Sequence, residues 1–301
     1  MVMKKLIFFT VVTYLSISAA SFQTYAQTDN PESFSFVFMN DIHLIPGRGL
    51  AGFEKAIECI NKLNPDLVIS CGDLVWDVND QTFGGADSLF NLYIHTVKKI
   101  KAPIFNGIGN HDVFGLYLKN DISSSHPMYE KKMFEFKIGK LYQTFIHKGW
   151  KFFILDDIDV KPGKIVGGID STQLAWISKE LTLTDKKTPI IIALHIPLIT
   201  ALIQFEQGGN TPIPEGSAVF NSRELLDLFK GYNLKLVLQG HMHTYEDIYL
   251  YGIRFLTGGT VSGWKWNGPS RGTQPGFLQI TTKNSEFIYH YIDYGWKLES
   301  K

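Results

Sequence analysis

The stretch Pro65-Asp66-Leu67-Val68-Ile69-Ser70-Cys71-Gly72-Asp73 decides how the rest of this 301-residue chain is read. Small and apolar residues from Leu67 to Cys71, bounded by Pro65-Asp66 and by Gly72, predict a buried strand that stops abruptly. In open α/β sheets, ligands and reacting groups collect at the carboxyl ends of strands. Gly72 frees the backbone to turn there, so the carboxylate of Asp73 can point into a crevice. An acid after one strand is ordinarily a turn or a helix cap. Asp73 gains its weight because four other strand ends carry metal-ligating side chains.

Those ends lie on both sides of it in the chain. Ser33 to Met39 reads as a strand ending at Asn40-Asp41-Ile42-His43, and Pro103 to Asn106 leads into Gly107-Ile108-Gly109-Asn110-His111-Asp112. Pro189 to Leu194 delivers His195, and Leu234 to Gln239 delivers Gly240-His241-Met242-His243. Five of the nine histidines fall in these short segments, which is implausible as chance placement. Asp41 alternates with His43, and His241 with His243, so an extended backbone would aim each pair at one centre.

Between these strands, Phe53, Ala56, Ile57, Ile60 and Leu63 recur at helical spacing and stop near Asn64-Pro65. Further helices are expected from Asp87 to Ile100, from a capping box of Asp170 and Gln173 to Leu181, and from an Asn221/Glu224 cap pair to Lys230. Phe114–Met128 and Ile203–Gly216 read as loops, and Leu141–His147 with Lys151–Leu155 as a hairpin through Lys148-Gly149-Trp150. Tyr245–Leu250, Ile253–Leu256, Phe277–Thr281 and Phe287–Ile292 read as antiparallel strands. No repeat or linker divides the chain. The expectation is one α/β domain over residues 27–301, with two mixed β-sheets packed as a sandwich and helices outside.

The first residues read as a targeting signal. Lys4-Lys5 precede the apolar run Leu6 to Ala20, and Thr24-Tyr25-Ala26 offers a small-residue cleavage site. That run of about 15 residues is short of the ~20 that a spanning helix needs. A cleaved segment 1–26 predicts a secreted or periplasmic protein with no membrane span after signal removal. Lys plus Arg equals Asp plus Glu, 29 against 29, so loss of Lys4 and Lys5 leaves a net charge of −2. With no basic stripe, dedicated nucleic-acid binding is not expected. Cys59 and Cys71 read as two buried free thiols, with a bridge between them as the alternative, and either reading leaves any metal site to imidazole and carboxylate.

Taken together, Asp41-x-His43, Gly72-Asp73, Gly109-Asn110-His111-Asp112, His195 and Gly240-His241-x-His243 resemble the calcineurin-like metallophosphoesterases in identity and order, over roughly residues 33 to 295. The resemblance implies that Asp41, His43 and His243 hold one metal, that Asn110, His195 and His241 hold another, and that Asp73 bridges them. It implies two divalent transition-metal ions (Mn, Fe or Zn) and hydrolysis of a phosphate ester by a metal-bridging hydroxide. His111 would protonate or stabilise the leaving oxygen, with Asp77 or Asp112 orienting it. Purple acid phosphatases have Tyr three residues after the bridging acid, where this chain has Trp76. Protein Ser/Thr phosphatases carry an Asp-Arg pair after that acid, which is absent here, and lipid A precursor hydrolases have Arg in place of His111. What remains is most similar to the cyclic-nucleotide phosphodiesterase-like branch. That branch acts on both diesters and monoesters, so the expected substrate is a small phosphoester, with a phosphodiester favoured. A phosphomonoesterase, a nuclease and a non-catalytic metal-stabilised binding module are the alternatives. In Gly258–Trp266, Trp264 and Trp266 read first as packing residues, with an indole at the rim of the site as the alternative.

Overall fold

The computed structural model describes residues 33–117 and 122–298, so the expected signal segment 1–26 lies outside the described residues. Strand β1 (Phe34–Met39) pairs in parallel with β2 (Leu67–Cys71), which pairs in parallel with β3 (Ile104–Gly107). Parallel neighbours need crossovers. Helix α1 (Arg48–Leu63) returns the chain from β1 to β2, and α2 (Phe83–Val97) from β2 to β3. α1 buries Phe53, Ala56, Ile57 and Ile60 and ends where Asn64 turns left-handed at φ 48°, as the Asn-Pro signal predicts. Two late strands, β12 (Gly276–Lys283) and β13 (Glu286–Asp293), extend this sheet antiparallel on the other side of β1, giving the order β13-β12-β1-β2-β3.

The second sheet has the order β10-β11-β9-β8-β5-β4. Its strands are β4 (Gln143–His147), β5 (Trp150–Ile154), β8 (Pro189–Ala193), β9 (Asn233–Gln239), β10 (Tyr245–Leu250) and β11 (Ile253–Gly258). The middle of this sheet, from β5 through β8 and β9 to β11, is parallel, with antiparallel hairpin partners at both edges. β11 is thus antiparallel to β10 but parallel to β9. Alternate residues of the two sheets meet in one apolar layer, including Phe36, Phe38, Ile69, Leu278, Phe152, Ile191 and Leu238. The opposite faces, such as Val37, Val68, Phe153 and Ile192, are covered by helices. This is the predicted sandwich, and it explains why β2, β5 and β8 are buried along their whole length.

Several expected boundaries moved. α2 starts at Phe83 rather than Asp87, because Thr82 accepts a hydrogen bond from Gly85 N–H at 3.2 Å and Gly84-Gly85 form the first helical turn. The loop expected from Ile203 begins as helix α5 (Leu202–Gln207), and a short helix α3 (Lys132–Lys137) was not foreseen. Nor was the hairpin of β6 (Ile158–Lys161) and β7 (Lys164–Gly167). Asp170 caps α4 (Ser171–Thr182) through Gln173 N–H at 2.8 Å, but the Gln173 side chain pairs with the backbone of Asp156 instead of closing the box. Asn221 does not cap α6 (Ser222–Leu228); its side chain is taken by the N–H and carbonyl of Ile169. In both places a long-range partner outcompeted a local one.

Candidate metal centre

The carboxyl ends of β1, β2, β3, β8 and β9 lie together at one end of the sandwich, and each carries the side chains singled out above. They do not reach the centre on extended backbone. Asp41, His43, Asp73, His241 and His243 all sit in the left-handed region, with φ of 52°, 44°, 53°, 69° and 51°. The alternation of each pair is therefore produced by successive kinks, held by surrounding contacts. Asp41 N–H donates to Gly72 O and His43 N–H to Asp73 O, at 3.2 and 2.9 Å, so the first two loops brace each other. Gly72, at φ 81°, is required for a second reason: a Cβ there would lie 2.1 Å from Nδ1 of His195.

Each carboxylate is divided between scaffold and centre. Asp41 Oδ2 accepts from the amide of Asn40 and from His241 N–H at 2.9 Å. Its Oδ1 is buried, accepts no hydrogen bond, and faces Nε2 of His243 at 3.2 Å. Asp73 Oδ1 accepts from His111 N–H at 2.8 Å, which leaves Oδ2 at 3.5 Å from Nε2 of His43 and 3.3 Å from Nε2 of His195. The ligand-type atoms of Asp41, His43, Asp73 and His243 all lie within 4.8 Å of one another, as do those of Asp73, His195 and His241. Oδ1 of Asn110 joins the second group, 3.0 Å from Nε2 of His195 and 2.9 Å from Nδ1 of His241. Asp73 alone belongs to both groups.

The outer atoms select the tautomers. Nδ1 of His243 lies 3.1 Å from Gly263 O, and Nδ1 of His195 lies 3.3 Å from Cys71 O. Each Nδ1–H donates to a carbonyl, so Nε2 is the atom that each ring turns inward and would offer to a metal once deprotonated. Nε2 of His43 stands only 3.0 Å from that of His243. Lone pairs and carboxylate oxygens converging in a buried space are a poor arrangement among themselves and a good one around a cation. The donor set fits two divalent ions that share Asp73.

Electrostatics agree with the geometry. Burial pushes the Asp41 carboxyl up, but the imidazoles of His243 and His195 together outweigh it and hold Asp41 well below the usual carboxylate range. Burial likewise opposes ionisation of Asp73, and His195 and His111 overcome it. Burial should depress His195, yet the charge of Asp73 raises it to about 10. That pull on a proton is the pull a metal ion would satisfy. Burial, reinforced by His195, lowers His241 to about 4.

His111 follows Asn110 in a one-turn 3-10 helix (Asn110–Asp112) and is half-buried at the edge of the centre. Its ring stands 5.0 Å from that of His43. Asp77 Oδ1 lies 3.4 Å from its Nδ1, an ion-pair distance without hydrogen-bond geometry. Burial lowers the imidazole pKa, and the charges of Asp73 and Asp77 raise it further than that, above the ordinary value. Asp112 does something else: its two oxygens accept from the N–H groups of Leu74, Val75 and Gly109 at 2.9–3.3 Å, tying the β2 loop to the β3 loop.

Sequence reasoning missed several contributors. Asn40 donates to Gly259 O at 2.8 Å as well as to Asp41, and the hydroxyls of Thr260 and Ser262 donate to Asp41 O at 3.0 and 2.8 Å. Lys265 places Nζ 3.5 Å from Nε2 of His111. The two tryptophans divide the alternatives between them. Trp266 is fully buried and donates to His43 O at 2.9 Å, whereas Trp264 is 52% exposed and lies edge-on to His243. Only the polar-aromatic density of residues 258–266 hinted at this segment.

The chain is similar to known proteins. The chain is 29% identical over 173 residues to a "Probable cyclic nucleotide phosphodiesterase" of Moraxella catarrhalis, an alignment covering 55% of this chain and 58% of that protein. This is less than two thirds of that relative's length. A "Probable glycerophosphodiester phosphodiesterase GpdQ" of Arcobacter nitrofigilis is 25% identical over 228 residues, covering 69% of this chain and 71% of that one. Among solved structures, a dimetal phosphatase from Danio rerio superposes with a TM-score of 0.59 at 13% identity, over 85% of this chain and 98% of its own; at that identity the likeness is one of fold. The calcineurin-like phosphoesterase family profile matches residues 34–245, from β1 to the start of β10, and includes all the candidate ligands. With that match on top of two candidate ligand groups that share Asp73, the chain belongs to the calcineurin-like phosphoesterase family.

Proposed function

We propose that this protein is an exported dimetal phosphoesterase that hydrolyses small phosphodiesters, with nucleotides or headgroup-like compounds as the leading class. The observation that carries the reading is the sharing of Asp73 between two ligand groups, beside a His111–Asp77 pair at the half-exposed edge. Asp41, His43 and His243 would hold one ion and Asn110, His195 and His241 the other. Imidazole and carboxylate donors suit Mn, Fe or Zn. Two such ions supply an activated water and neutralise phosphoryl charge. The chain's own part is to position and to move a proton: His111, with Asp77 beside its Nδ1, presents Nε2 as the donor to the leaving oxygen.

The diester preference rests on the two phosphodiesterase-named relatives, and export rests on residues 1–26. Among the described residues no helix is long and apolar enough to cross a membrane. A substrate panel with Mn²⁺ tests the first point: cyclic nucleotides, mononucleotides, glycerophosphodiesters, sugar phosphates, phosphopeptides and single-stranded DNA. Faster turnover of a diester than of its matched monoester is expected. Monoester turnover without diester cleavage would make the protein a phosphatase, and cleavage of DNA alone a nuclease. Mass spectrometry of protein from the native envelope tests the second point, with a chain starting at or near Gln27 expected and an intact Met1 form in the cytosol counting against export.

A further inference from the structure

The segment that follows β11 closes over the metal centre, and its backbone is unusual. Lys265 and Trp266 are consecutive non-glycine residues in the left-handed region, with φ of 47° and 66°. Side chains with a Cβ disfavour that region, so surrounding contacts must impose it. Trp266 provides them: its indole is buried, donates to His43 O at 2.9 Å, and stands edge-on to Trp296. The backbone is clamped on either side, Trp264 N–H to Gly268 O and Trp266 N–H to Ser262 O, both at 2.7 Å.

The consequence of this arrangement is where Lys265 ends up. Its Nζ lies 5.4 Å above the ring of Trp76 and 3.5 Å from Nε2 of His111. Among the described residues no carboxylate forms an ion pair with it. Trp76 supports the ammonium from one side by a cation–π contact. The other side faces the edge where His111 meets the centre. An ammonium held beside an imidazole nitrogen, and steered there by a strained turn, is arranged to meet an anion.

We propose that Lys265 binds a phosphoryl oxygen of the substrate beside His111, and that this contact is what admits dianionic phosphate monoesters to the site alongside monoanionic diesters. The proposal rests on the phosphoester-hydrolase reading above and names the residue that sets its substrate range. A monoester phosphate bears close to one more negative charge at neutral pH than a diester, since its second pKa is about 6. A diester replaces that charged oxygen with an alkylated one, so it gains less from the ammonium.

The test uses the full chain loaded with Mn²⁺, in wild-type form and as Lys265→Gln, Lys265→Met and Lys265→Arg. Inorganic phosphate is titrated into each by calorimetry. kcat/KM is measured for p-nitrophenyl phosphate and bis-p-nitrophenyl phosphate, which share a leaving group. The Gln and Met variants should bind phosphate about tenfold more weakly or worse, as expected for a lost charge-assisted hydrogen bond. Monoester kcat/KM should fall by a similar factor while the diester loses less than about threefold, and the Arg variant should keep most of the wild-type ratio. Unchanged phosphate affinity, or equal losses on the two esters, would overturn the proposal. So would loss of metal from both neutral variants, which would make Lys265 part of the scaffold. If wild type turned over neither ester, the hydrolase reading would fail, and the phosphate titration would still decide the role of Lys265.

Discussion

The two halves of the centre use similar donors but differ in exposure. Asp41 and His43 are fully buried and His243 nearly so, whereas in the other half His195 is buried but Asn110 and His241 are only half-buried. The closed half lies beneath rings: Trp76 and His111 against His43, at 6.2 and 5.0 Å, and Trp264 against His243 at 6.0 Å. The open half has His195 and His241 facing each other at 5.2 Å. Ligand chemistry alone would make the two ions equivalent. The difference in burial would make them unequal, because release of an ion from the more closed half would need the rim to open locally.

The largest effect should come from the residue that belongs to both halves. Asp73→Asn is expected to lose both ions and to fall to background hydrolysis. Elemental analysis should return about two transition-metal ions per chain for wild type and far fewer for the variant. A metal-free wild type that still hydrolysed phosphoesters would dissolve the comparison altogether.

Next in size is the rim. His111→Ala should keep both ions and lose kcat by ~10²–10⁴. The loss should shrink with p-nitrophenyl esters, whose leaving group needs little proton assistance. Asp77→Asn should follow the same leaving-group pattern with a smaller loss of ~10–100-fold, as removal of an orienting partner does. Equal losses for leaving groups of very different basicity would assign His111 a purely structural place.

The difference between the halves can be measured directly. Slow dialysis against a chelator should pass through a plateau near about one ion per chain, since only one half is exposed. His241→Ala should sit on that plateau from the start. His43→Ala should instead lower the affinity of the ion that wild type releases last. Simultaneous loss of both ions from wild type would show that burial does not separate them.

The smallest expected effect concerns the clamp beneath the open half. In Asp112→Asn one carboxylate oxygen becomes an NH₂ group facing a backbone N–H, an unsatisfied pair worth ~1–3 kcal/mol. Denaturation of the metal-loaded protein should show that loss, with metal content unchanged. An activity loss in Asp112→Asn with the leaving-group pattern of Asp77→Asn would contradict the separate roles of the two acids.

Much of this was legible in the chain. Asp41, His43, Asp73, Asn110, His195, His241 and His243 announce themselves because each follows an apolar run that could only be a buried strand, and a sheet brings such ends together. The strands themselves were readable because both faces are covered, so the runs are nearly continuous. Boundaries failed where a distant group intervened, as when Asp156 took the Gln173 side chain and Ile169 took Asn221. The amphipathic patterns of α3 and of the β6–β7 hairpin are too short to stand out from their surroundings.

The sequence by itself determined the family, the donor set and its order along the chain, because those depend on residue type and on the periodicity of strands. Only the tertiary structure decided how the donors converge. It placed five candidate ligands in left-handed turns instead of extended strands, set Asp77 beside the His111 ring while Asp112 accepts from backbone N–H groups, and sent Trp266 inward while leaving Trp264 and Lys265 at the rim. The physical reason is common to all three. Each outcome depends on hydrogen bonds and contacts between segments far apart in the chain, such as Trp266 to His43 and Asp112 to Leu74, and local pattern does not encode such partners.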